Sequence, residues 1–184
     1  MSLILKKSNI LSGSVLSISG SKSESNRLLI LKALYPGITI LNISKSDDTN
    51  VLVKALSAKS SNVDIHHAGT AMRFLTAFFA ISKEKEITLT GSTRMQNRPI
   101  KILVDALIQL GAKIEYLEND GFPPIKISGQ KLNSCRVSLP ANVSSQYISA
   151  LLLIAPSLQN GLELELIGEI TSIPYINMTL KLLN

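Results

Sequence analysis

One helical pattern occurs three times along this sequence, and that repeat limits the folds open to it. Segments that are apolar nearly all round, which is typical of buried helices, lie at residues 28–34, 71–81 and 147–155. One-sided helix patterns follow them, at residues 51–56, 100–110 and 176–183. The second of these has the i, i+3, i+4, i+7 apolar spacing of a surface helix. The alternation predicts three copies of one structural unit around a shared core.

Short strand patterns complete the unit. They lie between the paired helices, at residues 38–41, 86–90 and 162–167. After the second amphipathic helix, residues 112–118 and 125–128 predict a strand pair joined through Gly121. The sequence therefore predicts an α/β (α+β) chain of repeated βαβαββ units. In the first unit the closing strand pair is reduced to residues 62–65, and the third unit is truncated after its amphipathic helix.

The length predicts one domain or one lobe of a larger protein. The chain has 184 residues, of which 45% are hydrophobic and 17% are charged, and this composition excludes a disordered chain. We expect residues 20–184 to form a lobe of three repeats. Residues 1–19 precede the first repeat, and we expect them to belong to a hinge or to a strand of a second lobe.

Composition also excludes several classes of function. The net charge is +6, which suits an anionic partner without identifying it. Aromatic residues make up only 4% and Trp is absent, so base-stacking platforms for nucleic acid are not expected. Cys135 is the sole cysteine, which excludes an intrachain disulfide. Without a signal peptide or a membrane-length apolar run, we expect a soluble cytoplasmic protein with no membrane or nucleic-acid partner.

The candidate functional residues lie at the starts of the three buried helices. Each contains glycine or hydroxyl side chains, at residues 20–27, 68–70 and 143–146. A helix N-terminus has unpaired backbone N–H groups and attracts anions. If the three helices run in the same direction, their N-termini meet at one anion-binding face. Taken singly, each start is also an ordinary helix cap.

Cationic side chains near these helix starts also indicate an anion-binding site. Lys22 and Arg27 bracket the first start, and Arg94 and Arg98 precede the amphipathic helix of the second unit. Arginine forms bidentate contacts with phosphate and carboxylate. Arg73 lies within an apolar helix, where a structural salt bridge to Asp47 or Asp48 is as compatible with the sequence as a substrate contact. His66 and His67 lack metal-ligand spacing, so we expect them to cap a helix or line a pocket.

An ordered set of motifs resembles the 5-enolpyruvylshikimate-3-phosphate synthase family over nearly the whole chain. The matching segments are Ser21-Lys22-Ser23-Glu24-Ser25-Asn26-Arg27, Ser46-Asp47-Asp48-Thr49, Ala68-Gly69-Thr70-Ala71-Met72-Arg73, Arg94-Met95 with Arg98-Pro99-Ile100, Ser144-Ser145-Gln146 and Pro174-Tyr175-Ile176. One such motif is weak evidence, whereas the ordered set is specific. The family's chain is more than twice as long, so the resemblance identifies an N-terminal part.

The resemblance implies a two-lobed, inside-out α/β barrel fold, with three βαβαββ units in each lobe. It implies transfer of the enolpyruvyl group from phosphoenolpyruvate to the 5-hydroxyl of shikimate-3-phosphate, with release of phosphate, in aromatic amino acid biosynthesis. No metal or organic cofactor is implied. The family's catalytic Asp and Glu, and several cations that hold phosphoenolpyruvate, belong to the second lobe. The partner of this lobe is therefore the C-terminal lobe of the same protein, and we expect this fragment to be inactive alone.

The resemblance also assigns roles to residues of this chain. Lys22 matches a lysine that contacts both substrates and assists proton transfer, so it is the candidate catalytic residue. Candidate contacts to shikimate-3-phosphate are Ser23, Arg27, Ser144, Ser145, Gln146, Ser172 and Tyr175. Gly69 and Arg98 match positions on the phosphoenolpyruvate side. The chain departs from the family at His67, which is commonly Asn, and at Ile173, which is usually Lys.

Two alternatives remain open on sequence grounds. The first is the related transferase that acts on a UDP-aminosugar, although its first helix start differs from the Ser-Lys-Ser-x-Ser-Asn-Arg pattern seen here. The second is a non-catalytic module that binds an anion or nucleic acid, which the positive net charge would suit. Against it, the cations cluster at helix starts, not along one exposed stripe.

Overall fold

The computed structural model describes residues 3–4, 6–9, 12–13 and 17–184. The helices in these ranges are α1 (Lys22–Leu34), α2 (Asp47–Ser57), α3 (Gly69–Ile81), α4 (Thr93–Gln96), α5 (Lys101–Gln109), α6 (Ser145–Ile154) and α7 (Ile173–Leu183). The strands are β1 (Asn62–Asp64), β2 (Glu86–Thr90), β3 (Lys113–Tyr116), β4 (Ile125–Ser128), β5 (Arg136–Pro140) and β6 (Glu163–Ile167). Mixed helix and strand content confirms the predicted fold class.

Serine caps set the start of three helices. The Ser21 hydroxyl accepts a hydrogen bond from the Glu24 amide at the start of α1. The hydroxyls of Ser46 and Ser144 do the same at α2 and α6. Each cap satisfies one of the backbone donors that a helix N-terminus leaves unpaired. First-turn amides that neither a cap nor the backbone pairs remain available to a ligand.

The second repeat is complete. Its sheet has the strand order β1-β2-β4-β3. β1 and β2 are parallel and flank α3, whereas β4 pairs antiparallel with both β2 and β3. With α5 between β2 and β3, the order along the chain is βαβαββ, as predicted. The hairpin of β3 and β4 lies where the sequence places it, although β3 is shorter than the predicted 112–118.

The role of residues 62–65 was wrongly predicted. Three of them, Asn62–Asp64, form β1, which pairs in parallel with β2, so this segment opens the second unit and does not close the first. The third unit opens in the same way, because β5 pairs in parallel with β6 around α6. β5 has no counterpart among the predicted strands, although its inward residues Val137 and Leu139 are almost fully buried. A strand of five residues carries only two such positions, which is too short a pattern to stand out.

The predicted strand at residues 38–41 is absent. That segment is irregular and runs between α1 and α2. Ile38 and Ile40 pack against the core, but Leu41 is exposed. The backbone of Gly20 lies against that of Asn42, yet no ladder of hydrogen bonds joins the two segments among the described residues. A strand requires such a ladder, which an apolar run alone does not provide.

The buried helices form the centre of the lobe. Every residue of α3 from Gly69 to Ala80 is buried, and α3 packs against α6 and α1. In α1 the buried residues end at Leu31, so the predicted all-round burial of residues 28–34 holds only in part. No helix in the described part of the chain is long and apolar enough to cross a membrane. The predicted hinge at residues 1–19 lies partly outside the described residues and stays a prediction.

Candidate functional site

A polar cavity of about 390 Å³ opens where the starts of α1, α3, α6 and α7 meet. Its lining residues are Lys22, Ser23, Arg27, Thr70, Val143, Ser144, Ser145, Gln146, Ser172 and Tyr175. Eight of the ten candidate residues named from the sequence are in this set. The three buried helices therefore start at one cavity, as the repeat predicts, and we call it the helix-start cavity.

The helix starts make this cavity suited to anions. First-turn backbone amides and the helix dipoles place partial positive charge at its wall. Hydroxyl groups of Ser23, Ser144 and Ser145 add donors that can rotate toward a ligand oxygen. The Gln146 amide lies 3.4 Å from the Thr70 hydroxyl, which links the starts of α6 and α3. The cavity can therefore hold a small, oxygen-rich anion.

Lys22 lies at the rim. Its side chain is half exposed, and its Nζ atom is 3.5 Å from Asp48 Oδ2. An exposed ion pair of this length contributes little to stability, so the lysine can turn toward a bound anion at small cost. Asp48 belongs to the Ser46–Thr49 motif and is one of the two carboxylates considered above as partners of Arg73. The structure pairs it with Lys22.

Arg27 is the buried cation of the helix-start cavity. Only 3% of its surface is exposed. Its Nε donates to Thr179 Oγ1 at 2.6 Å and its Nη1 to the Ser23 carbonyl at 2.8 Å. Its Nη2 donates to Ser149 Oγ and to the Tyr175 carbonyl. Because a guanidinium has five N–H donors, one Nη1 hydrogen remains for a ligand. Burial lowers the pKa of Arg27, and no carboxylate pairs with it in the described part of the chain.

The loop before α7 closes the other side of the cavity. Ser172 has a φ of 56°, which is unusual for a residue other than glycine. Tyr175 presents a half-exposed ring. An aromatic ring beside hydroxyl donors suits a ring-shaped ligand that is apolar on one face and polar at its edge.

Gly69 and Arg98 do not line the helix-start cavity. Arg98 instead lines a second cavity of about 220 Å³ with His67, Arg94 and Met95, which we call the two-arginine cavity. A Cβ atom on Gly69 would overlap the Arg98 guanidinium, with its Cζ 2.9 Å away. Since Gly69 precedes Thr70, the start of α3 separates the two cavities. The structure thus sets Gly69 and Arg98 apart from the eight candidate residues that line the helix-start cavity.

His66 and His67 lie at the edge of the two-arginine cavity. Their Nδ1 atoms are 2.6 Å apart, and His67 lines the cavity, which agrees with the predicted pocket-lining role. His66 has a φ of 50°, and the carboxylate of Asp64 accepts a hydrogen bond from its backbone amide. The described residues contain no group of three or more His, Cys, Asp or Glu side chains that could hold a metal ion.

Arg73 does not form the salt bridge to Asp47 or Asp48 that the sequence left open beside a substrate contact. Asp48 pairs with Lys22, and no carboxylate lies within ion-pair distance of Arg73 among the described residues. Arg73 instead donates to the carbonyls of Gly69 and Pro99. Burial lowers the pKa of Arg73, and the positive charge of Arg98 adds to this effect. Arg73 lies in a helix that is buried on every side, so the acidic residues of the surface helix α2 do not reach it.

The fold and its cavities define a mixed α/β protein built from repeats, with a polar cavity at the starts of its buried helices. The sequence profile of EPSP synthase (3-phosphoshikimate 1-carboxyvinyltransferase) matches residues 52–184. This match covers most of the chain, and the chain belongs to the EPSP synthase family.

Curated relatives agree with the family assignment. A 3-phosphoshikimate 1-carboxyvinyltransferase of Bacteroides fragilis strain YCH46 is 57% identical over 164 residues, which is 89% of this chain and 40% of the relative. An enzyme of the same name from Actinobacillus pleuropneumoniae serotype 5b is 40% identical, over 91% of this chain and 46% of the relative. The chain therefore spans less than half the length of these relatives.

Solved structures support the fold. The structure of EPSP synthase from Acinetobacter baumannii at 2.37 Å matches with a TM-score of 0.71. The alignment covers 88% of this chain and 42% of the solved chain, at 19% sequence identity. At that sequence identity, the structural similarity supports the fold only.

Proposed function

We propose that the protein to which this chain belongs transfers the enolpyruvyl group of phosphoenolpyruvate to the 5-hydroxyl of shikimate-3-phosphate. In this proposal the helix-start cavity binds shikimate-3-phosphate, and the two-arginine cavity lies on the phosphoenolpyruvate side. The observation that carries it is the gathering of eight separately predicted residues around one cavity. The relatives' name, 3-phosphoshikimate 1-carboxyvinyltransferase, describes this reaction. The proposed setting is the cytoplasm and aromatic amino acid biosynthesis.

In the proposed reaction, the 5-hydroxyl oxygen bonds to C2 of phosphoenolpyruvate and gives up its proton to a base. C3 gains a proton, and a tetrahedral intermediate results. The C2–O bond to the phosphoryl group then breaks and C3 loses a proton, so the products are inorganic phosphate and an enol ether. Both steps need proton transfer and neutralisation of anionic charge. Lys22 at the rim and Arg98 behind Gly69 would supply positive charge on two sides of the reacting atoms.

The chain would form the lobe that holds shikimate-3-phosphate, with a C-terminal lobe of the same protein as its partner. The cations of this chain bind and orient, whereas the carboxylates implied for catalysis belong to the second lobe. The 184-residue chain alone should therefore bind shikimate-3-phosphate weakly and show no catalytic turnover. Calorimetric titration checks this expectation. A lack of heat and of any melting-temperature shift at millimolar ligand would count against the proposed cavity.

Substitution of Lys22 tests the proposal in the full-length protein. We expect Lys22→Ala to lower the rate of phosphate release by at least about 100-fold, because it removes a cation and a proton donor. Ile173→Ala is the matched control: Ile173 lies at the start of α7, is half exposed and does not line the cavity. Steady-state phosphate release from both substrates measures the effect. Near-normal turnover in the Lys22 variant would remove the role assigned to this lysine.

The same assay separates the alternatives. With shikimate-3-phosphate or a UDP-aminosugar as acceptor, only the former should support phosphate release. Turnover with the UDP-aminosugar alone would favour the related transferase. A gel shift with nucleic acid that weakens steeply with salt would instead favour the binding module.

A further inference from the structure

Two buried side chains, Arg73 and Tyr147, donate hydrogen bonds to the backbone carbonyl of Pro99, the residue after Arg98. We propose that Arg73 and Tyr147 are positioning residues that hold Arg98 in place for the anionic co-substrate through this carbonyl. The inference rests on the proposed function, in which Arg98 faces phosphoenolpyruvate. Neither Arg73 nor Tyr147 lines the helix-start or the two-arginine cavity, so both act through Arg98 and not on the substrate.

Arg73 connects two backbone carbonyls. It is 5% exposed, and its Nη2 donates to the Pro99 carbonyl at 3.1 Å while its Nη1 donates to the Gly69 carbonyl at 3.2 Å. A buried guanidinium without a carboxylate is tolerated only when its donors are satisfied. Hydrogen bonds from a charged donor are stronger than neutral ones. Arg73 therefore fixes Gly69 and Pro99 relative to each other.

Tyr147 secures the same carbonyl from a second helix. Its ring lies in α6 and is 4% exposed, and its hydroxyl donates to the Pro99 oxygen at 2.8 Å. The Arg73 Cζ atom lies 5.8 Å from the centre of the Tyr147 ring, which is within cation–π range. Because a carbonyl oxygen has two lone pairs, these two donors fill the acceptor capacity of Pro99.

The two residues that Arg73 connects are the ones that bound Arg98. Pro99 is its neighbour in the chain, and the Arg98 amide donates to the Met95 carbonyl at 2.9 Å. Its guanidinium lies directly against Gly69. Loss of a Pro99 anchor would therefore let the Arg98 side chain shift away from Gly69. A bidentate contact to phosphate or carboxylate needs a guanidinium group held in a fixed orientation. Small misplacements of such a group lower the rate of catalysis strongly.

A pair of tyrosine substitutions tests this inference in the full-length protein. Tyr147→Phe removes one hydroxyl that anchors Pro99. Tyr116→Phe is the control, because the Tyr116 hydroxyl is buried in β3 without a hydrogen-bond partner in the structure. We expect Tyr147→Phe to raise the KM for phosphoenolpyruvate about fivefold, the effect of one net hydrogen bond. The KM for shikimate-3-phosphate should change by less than about twofold, and Tyr116→Phe should change neither value.

A spectroscopic measurement separates positioning from a merely structural role. The Nε–H signal of Arg98 can be assigned in nitrogen-15 spectra by its loss in Arg98→Lys. In the native protein we expect one sharp signal that shifts when inorganic phosphate is added. In Tyr147→Phe it should broaden or move toward the position of a solvent-exposed arginine. Arg73→Lys keeps the charge but loses the guanidinium group that donates to both the Gly69 and the Pro99 carbonyls. It should therefore change the Arg98 signal in the same direction and by more.

Two results would overturn the inference. One is a Tyr147→Phe protein that matches Tyr116→Phe in both KM values and in the Arg98 signal. The other is an equal rise in both KM values, which would mean general loosening of the lobe. If Arg73→Lys fails to fold, Tyr147→Phe decides alone. If the native protein shows no turnover, the proposed function fails, and the Arg98 signal still decides whether Tyr147 positions this arginine.

Discussion

Arg27 and Arg73 occupy similar places in two copies of the repeat. Each donates its Nη1 to the carbonyl four residues earlier, in the first turn of its helix: Ser23 for Arg27 and Gly69 for Arg73. Each is at least 95% buried, and neither pairs with a carboxylate in the described part of the chain. Each also lies over an aromatic ring of the next buried helix. Two copies of the repeat thus place a buried arginine within the first two turns of the buried helix.

The remaining hydrogen bonds distinguish the two arginines. Arg27 reaches the hydroxyls of Ser149 and Thr179 and lines the helix-start cavity with an N–H to spare. Arg73 reaches only backbone carbonyls and the sulfur of Met95, and it lines neither cavity. The same position in the repeat therefore borders an open cavity in one copy and holds the backbone in another. What differs is whether the neighbouring copy leaves open space beside the guanidinium.

The third copy completes this comparison. In α6 the residue four positions after Ser145 is Ser149, so a small hydroxyl stands where the other two helices carry arginine. Ser149 is fully buried and accepts a hydrogen bond from Arg27. A third arginine would fill the space toward which Arg27 extends. The third repeat thus departs from the other two and supplies an acceptor for the arginine of the first.

The largest expected effect comes from Arg27→Met in the full-length protein. The variant should fold, because the hydroxyls of Ser149 and Thr179 still contact each other at 3.0 Å. Its affinity for shikimate-3-phosphate should fall about 100-fold, the loss of a charged hydrogen bond in a buried site. Affinity for phosphoenolpyruvate should change far less. If calorimetry finds shikimate-3-phosphate binding within about threefold of the native value, Arg27 is structural and the contrast with Arg73 disappears.

A smaller effect on the other substrate is expected from Gly69→Ala. The added methyl group overlaps the Arg98 guanidinium, so that side chain has to move. We expect the KM for phosphoenolpyruvate to rise about tenfold, because a displaced fork loses its bidentate contact. Gly37→Ala is the control, since nothing lies within 4 Å of a Cβ atom there. An unchanged KM for phosphoenolpyruvate, or a rise for shikimate-3-phosphate instead, would contradict the division into two cavities.

Local sequence signals predicted the helices and much of the site. The bounds of β2 and β4 match their patterns at every residue, because alternation within a single strand shows which side is buried. The helix-start cavity was also predictable, because hydroxyl and glycine residues before an apolar helix mark its N-terminus wherever it lies. For these features the information lies within a few neighbouring residues, and chain-distant contacts are not needed.

Features that depend on a distant partner were not predictable. Residues 62–65 have a strand pattern, but only the pairing with β2 assigns them to the second unit. The run at 38–41 is more apolar than residues 62–65 and still lacks a ladder of hydrogen bonds. The sequence did not indicate the partners of Arg73, because these are backbone carbonyls, which every residue type has. The family resemblance set Gly69 and Arg98 apart from the other candidates, whereas their spacing did not, because the separation arises from packing at the start of α3.

The smallest expected effect concerns the support of Arg27 and is a change in stability. Thr179→Val removes the acceptor of the Arg27 Nε and leaves a buried charged donor unpaired. This should lower the free energy of unfolding by about 1–3 kcal/mol, with less than about tenfold loss of shikimate-3-phosphate affinity. Thr76→Val is the matched control: Thr76 is equally buried, but its hydroxyl only donates to the Met72 carbonyl in its own helix.

Urea unfolding of the two threonine variants distinguishes these cases. Thr179→Val should unfold at a lower urea concentration than Thr76→Val, because only the former leaves a cation without its acceptor. Equal midpoints would mean that Arg27 finds another acceptor, either by reorienting toward the Tyr175 carbonyl or by turning into the helix-start cavity. In the second case bound shikimate-3-phosphate would restore the stability of Thr179→Val more than that of Thr76→Val. The size of that ligand effect therefore reports how far the buried arginine is free to face its substrate.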